Sequence, residues 1–317
     1  MAGDLSPTSE LKMSNAVRPI EERLATLRII EPGPQGIFSY YDGRVSGRLI
    51  SKEENTIDDG AFVLGVSTYS IVSGSEALLF DAGITPEHAA FMLDHVKSLG
   101  ATKIKVVYSH IHSDHIAGAV ALKEATIVSH VETEALLRTK RDELAKGIPP
   151  IEVVLPTQTY EKTMTLRVGK LRVELHNFNI HTSDGTVLFL PDEGILFAGD
   201  TLEDTATYIG DVAGLSTHIR ELRRMAQLPI SKILPAHGSP DRIATGGYDS
   251  SFIDATVRYI QAMDEPVAEP VAWTQGLKEV VSADLEAGNL ICFEQYQGVH
   301  AENIAEIREY RREQGGC

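Results

Sequence analysis

Short, nearly continuous apolar runs recur along this chain. Between them lie stretches whose apolar residues return every three or four positions. The runs at 77–80 (ALLF), 104–108 (IKVVY), 126–128 (TIV), 152–155 (EVVL), 186–190 (TVLFL), 195–198 (ILFA) and 232–234 (KIL) read as strands. Residues 61–72 read as an apolar strand pair and 163–175 as a meander turning at Gly169-Lys170. Phe38–Tyr41 followed by Asp42-Gly43 and Arg44 reads as a hairpin, because Asp-Gly suits a tight turn. Helical periodicity predicts helices over 116–124, 132–146, 217–227, 251–263, 272–287 and 300–312. Thr85-Pro86-Glu87 opens a further helix that Gly100 closes. Pro19–Leu27 reads as a short helix behind a polar, aperiodic segment, 1–17. Strands interspersed with helices predict a layered α/β protein. The expected organisation is an N-terminal polar segment with a short helix (1–34) and one domain (35–317), mainly helical from about residue 249.

Charge narrows the partners. The chain carries 29 Lys and Arg against 45 Asp and Glu, a net −16. A field of that sign repels phosphate backbones and anionic surfaces, so neither nucleic acid nor membrane is expected as a partner. A small-molecule substrate is expected instead, and nothing in the sequence excludes a homo-oligomer. Two cysteines, Cys292 and the terminal Cys317, imply no disulfide framework. The N-terminal residues show no secretory pattern, and no apolar run approaches the ~18–20 residues that span a bilayer. A cytoplasmic location is the expectation.

The chemistry concentrates in Ser109-His110-Ile111-His112-Ser113-Asp114-His115, directly after the strand at 104–108. On an extended loop His110 and His112 project to the same side. Asp114 and His115 fall where the chain turns into a helix and can face a second point. One short loop can therefore serve two metal ions. Imidazole and carboxylate suit zinc and leave room for water. Three more ligand-type residues end or follow strands: His181, Asp200 behind Gly199, and His237 before Gly238. The remaining histidines (His88, His95, His130, His176, His218 and His300) fall outside any ligand pattern.

His110-x-His112-x-Asp114-His115, then His181-Thr, Gly199-Asp200-Thr201 and Pro235-Ala236-His237-Gly238, resembles the metallo-β-lactamase superfamily, as does Asp81-Ala-Gly83 after 78–80. The resemblance covers roughly 60–250. It implies an αββα sandwich of two mixed sheets with helices on the outer faces. It also implies two zinc ions per chain, with iron or manganese as alternatives. One ion would take His110, His112 and His181, the other Asp114, His115 and His237, and Asp200 would bridge them. Metal-bound hydroxide would attack a carbonyl, with Asp114 orienting it and passing a proton to the leaving group.

Within that resemblance the expected substrate is a small cyclic amide or ester, with detoxification of a heterocycle as the expected role. A thioesterase of the glyoxalase II type and a mononuclear iron enzyme resembling sulfur dioxygenases are the alternatives. His112 stands where two-iron redox members have Glu, which favours hydrolysis. Lactonases of the superfamily have Tyr three residues beyond the bridging Asp, where this chain has Glu203. Tyr208, eight residues beyond Asp200, is a candidate for that role. Glu203, Phe178, Tyr248 and Trp273 are candidates for the pocket wall.

Overall fold

The computed structural model describes residues 24–45 and 47–315. The expected polar segment 1–17 therefore lies outside the described residues, as does most of the helix expected over 19–27; residues 24–26 form a turn. Among the described residues twelve strands form two sheets. In the first, β1 (Arg28–Ile30), β2 (Ile37–Asp42), β3 (Val66–Ser73), β4 (Glu76–Phe80), β5 (Lys103–Val107), β6 (Thr126–His130) and β7 (Gln158–Tyr160) lie side by side in chain order. The second holds β8 (Thr163–Val168), β9 (Leu171–Asn177), β10 (Thr186–Leu190), β11 (Ile195–Gly199) and β12 (Lys232–Pro235). Both are mixed: β4 to β7 pair in parallel, as do β11 and β12, and the other neighbours are antiparallel.

The continuous apolar runs are explained by burial on both faces. Along β4, Leu78 and Phe80 point between the sheets, while Ala77 and Leu79 point outward under helix α1 (Pro86–Ser98). Along β10, Leu188 and Leu190 meet the first sheet, while Val187 and Phe189 face α3 (Leu215–Met225) and α4 (Ser251–Met263). The order is helix, sheet, sheet, helix. A second outer helix, α2 (Val131–Thr139), follows β6, and α5 (Tyr296–Glu313) packs with α4. Thr85 caps α1, its hydroxyl accepting the His88 N–H at 3.2 Å, a contact typically worth about 1 kcal/mol.

Several expected elements are built differently. The Asp42-Gly43 hairpin does not form, because β2 is already paired on both edges, with β1 and β3. Asp42 is instead buried, accepting from Gly43 N at 2.7 Å and meeting His88 Nε2 at 2.9 Å. Residues 57–64 are helical, and the strand expected from 61 begins at Val66. The run 152–155 makes no ladder; Val153 packs on the outer face of the first sheet, and the Tyr108 hydroxyl donates to the Val154 carbonyl at 3.1 Å. The helix expected over 116–124 is two short turns, 113–116 and 119–122. Those expected over 132–146 and 272–287 are likewise broken, the second at Gly276.

Candidate metal centre

Parallel strands bring their C-terminal ends to one edge, and the site is built there. Asp81 follows β4, β5 leads into the loop 109–112, Asp200 follows β11, and β12 leads to His237. His181 arrives from the β9–β10 connection. Backbone bonds lock these ends together. Ser109 N donates to Asp81 Oδ1 at 2.6 Å, Thr186 N to Ser109 O at 2.7 Å, and Ala82 N to His115 O at 2.8 Å. Gly199 adopts φ 54°, a left-handed turn that glycine takes without strain, and delivers Asp200 inward.

The seven ligand-type residues meet. His110, His112, His181 and Asp200 form one group, and Asp114, His115, His237 and Asp200 a second, each with its ligand atoms within 4.8 Å of one another. Asp200 Oδ2 lies 3.1 Å from His115 Nε2, 3.5 Å from His110 Nε2 and His237 Nε2, and 3.7 Å from His181 Nε2. Asp114 Oδ2 lies 3.2 Å from His237 Nε2. His112 turns the other way, its Nδ1 3.0 Å from His181 Nε2.

The electrostatics of the two groups differ. Burial works against charge on His115 and His237, yet Asp200 and Asp114 outweigh it and raise both well above the ordinary histidine value. Burial likewise opposes the ionised forms of Asp114 and Asp200, but the neighbouring His115 pulls both well below the carboxylate range. In the other group burial dominates. It lowers His181 to about 3, helped by His112, and pushes His110 well down. The carboxylates thus favour positive charge in one half of the cluster, and burial disfavours it in the other. His110 Nε2 and Asp200 Oδ1 are buried without a hydrogen-bond partner among the described residues. Such orphaned atoms are costly unless something satisfies them, and a cation with nitrogen and oxygen ligands would.

A family model described as the metallo-beta-lactamase superfamily matches residues 61–237. The chain belongs to that superfamily. Its members include proteins named as hydrolases, and this chain is a metal-dependent hydrolase. It is 25% identical to a metallo-beta-lactamase type 2 of Bacteroides fragilis over 175 residues, covering 53% of this chain and 67% of that protein. It is 33% identical to a hydroxyacylglutathione hydrolase of Mesorhizobium japonicum over 138 residues, covering 44% and 47%. The matches span 47% to 67% of the curated relatives' own lengths. A metallo-beta-lactamase from Pontibacter korlensis shares the fold, with a TM-score of 0.57 at 22% identity, covering 74% of this chain and 99% of that one.

Beside the cluster, this superfamily member has a cavity of about 750 Å³ lined by His112, Asp114, His181, Asp200 and His237. Tyr208 and Glu203 are also in its wall. Burial and the adjacent Asp200 raise Glu203 to about 8. Phe178, Tyr248 and Trp273, expected at the pocket wall, are not there. Phe178 is 1% exposed in the core outside the second sheet, under the Arg224 guanidinium at 3.8 Å. Tyr248 is as deeply buried, its hydroxyl donating to Asp204 Oδ2 at 2.6 Å and accepting from Ser239 N at 2.8 Å. Trp273 packs against α5, its indole donating to the Met263 carbonyl at 2.9 Å. Each of these polar atoms already has an internal partner, which fixes the side chain in the core.

The residues behind the ligands were harder to foresee. His115 Nδ1 lies 2.7 Å from Asp81 Oδ2, His237 Nδ1 2.7 Å from the Gly65 carbonyl, and His110 Nδ1 2.9 Å from Ser109 Oγ. Asp81 was visible as a strand-ending acid, but no sequence signal marks a carbonyl at Gly65. The wall residues Val63 and Leu64, and the rim residues Glu54, Glu143 and Glu302, were equally silent.

Proposed function

We propose that this superfamily member is a dinuclear zinc hydrolase that opens a small lactam or lactone. The observation that carries the reading is the division of seven ligand-type side chains into two groups sharing only Asp200. His110, His112 and His181 would hold one ion, Asp114, His115 and His237 the other, with Asp200 between them. The donor set is nitrogen and oxygen without a thiolate, which suits zinc in a catalytic site. Bound there, the ions supply Lewis acidity toward a carbonyl oxygen and a water acidic enough to attack near neutral pH. The chain's own residues do the rest. Asp114, partly open to the cavity, accepts the proton of the attacking water and returns it to the leaving group. Tyr208 donates its hydroxyl to the oxygen on which charge develops. Val63, Leu64 and Ile111 form an apolar wall that limits water beside the reacting bond.

The rim favours an uncharged substrate. Glu54, Asp59, Glu143 and Glu302 line it against one cation, Lys140, and Arg48 neutralises Asp59 alone, at 2.7 Å. Such a cleft disfavours anionic acyl carriers. A thioesterase of the glyoxalase II type is the second reading, supported by the 33% identity to a hydroxyacylglutathione hydrolase. Among uncharged rings the lactam is preferred, because Glu203 stands where lactonases of the superfamily have Tyr. We place the protein in the cytoplasm, where an exposed free thiol such as Cys292 stays reduced. Among the described residues no helix is long and apolar enough to cross a membrane.

Metal analysis with a substrate panel tests the proposal. Two zinc ions per chain are expected, with matched lactams and lactones hydrolysed at higher kcat/KM than thioesters. One iron per chain, or a thioester preference, would overturn it. Amide nitrogen needs protonation or metal stabilisation to leave, whereas alkoxides leave more readily. Asp114→Asn protein that still binds both ions is therefore expected to lose far more activity on a lactam than on the matched lactone.

A further inference from the structure

Four of the five clustered histidines present Nε2 to the site. A ligating Nε2 must offer its lone pair, so the proton of the neutral ring sits on Nδ1 and needs an acceptor when buried. Three rings have a partner on Nδ1: Ser109 Oγ for His110, Asp81 Oδ2 for His115 and the Gly65 carbonyl for His237. His181 Nδ1 is buried with no hydrogen-bond partner among the described residues. Glu203 Oε1 stands 3.6 Å from it. Glu203 is 3% exposed, and its carboxylate is turned on the protein. Oε1 accepts the Tyr208 N–H at 3.0 Å, and Oε2 accepts the Tyr296 hydroxyl at 3.4 Å. His181 also has φ 65°, a left-handed backbone that a β-carbon disfavours.

We propose that Glu203 is a positioning residue for His181. Its carboxyl oxygen Oε1 accepts the His181 Nδ1–H, fixes Nε2 as the nitrogen facing the metal, and ties that ligand to the Tyr208 backbone and to Tyr296 of α5. The proposal rests on the ligand set given above. The pair needs only to shorten from 3.6 Å to the ~2.7–3.2 Å of a hydrogen bond. Glu203 thereby completes a set of four Nδ1 partners, and it also couples the ligand to the segment that places the Tyr208 hydroxyl over the cavity. A direct substrate contact is the competing role for Glu203, and at 3% exposed its side chain offers a substrate little surface.

The experiment is a zinc titration of apo protein by calorimetry, repeated with cobalt to read the ligand-field spectrum. Wild type, Glu203→Ala and Glu203→Gln are compared, and His181→Ala identifies the titration step that belongs to the His181 half. Glu203→Ala is expected to weaken that step about 10- to 100-fold and alter its cobalt spectrum, the usual loss when a ligand's outer partner is removed. The step belonging to Asp114, His115 and His237 should stay within about threefold. Glu203→Gln keeps an acceptor oxygen of the same reach and should restore most of the affinity. It also serves where the alanine variant fails to fold. Equal affinities for wild type and Glu203→Ala, equal weakening of both steps, or a glutamine variant as impaired as alanine would overturn the assignment. Wild-type protein that takes up no metal pair would instead defeat the ligand set itself.

Discussion

At the residue scale, the ligands and the aromatic candidates behave differently. His110, His112, Asp114 and His115 were legible because a short loop between a strand and a turn leaves few directions for its side chains. Phe178 and Tyr248 lie close to ligands in sequence, three residues before His181 and eleven after His237. Proximity along the chain does not decide the face, and both rings turn into the core outside the second sheet. Tyr208 is the aromatic that reaches the cavity, with its ring 6.1 Å from that of His181. Tyr208→Phe is expected to lower kcat about 10²- to 10³-fold with metal content unchanged, the usual loss for one oxyanion donor. Unaltered steady-state kinetics would assign Tyr208 to packing.

At the element scale, the site depends on how the loop 109–118 docks on the loop 81–85. Gly118 N donates to the Gly83 carbonyl at 3.0 Å. A Cβ at Gly118 would lie 2.6 Å from the Thr85 carbonyl and closer still to that of Ala82. The helix expected from 116 stops at this close approach and resumes as a tighter turn at Ala119. Backbone cannot move aside as a side-chain tip can, so Gly118→Ala separates the two loops. The expected cost is about 1–3 kcal/mol of stability, as for other overpacked sites, with weaker metal binding in the same variant. Thermal unfolding of the apo and metal-loaded forms measures both, and an alanine variant of unchanged Tm and metal affinity would contradict the docking argument.

At the scale of the whole molecule, the two sheets supply different ligands to one centre. Asp114, His115, His110 and His112 follow β5, while Asp200 and His237 follow β11 and β12. Metal bound between them would link the two halves of the sandwich and add stability by mass action. At a free metal concentration of 100 Kd one site contributes about 2.7 kcal/mol. Removing metal with a chelator should therefore lower Tm, and restoring zinc should return it. Scanning calorimetry checks this, and a Tm indifferent to chelation would show that the ions do not bridge the sheets.

The amino-acid sequence alone determined what short-range constraints determine. Runs apolar on both faces, as at 77–80 and 195–198, had to be covered strands, because alternation is absent. Thr85-Pro86 had to start a helix, and the metal motif had to sit at a strand's end. Only the tertiary structure decided which edge received a third neighbour, whether 152–155 joined a ladder, and which second partner each histidine found. Asp42-Gly43 shows the reason. Its local preference for a tight turn is worth little against the ladder bonds β2 already makes on both sides and the buried contacts of Asp42 with Thr26 and His88. The acceptors behind the ligands follow the same rule. The Gly65 carbonyl is 172 residues from His237, and nothing along the chain marks that the packing of two sheets will set them 2.7 Å apart.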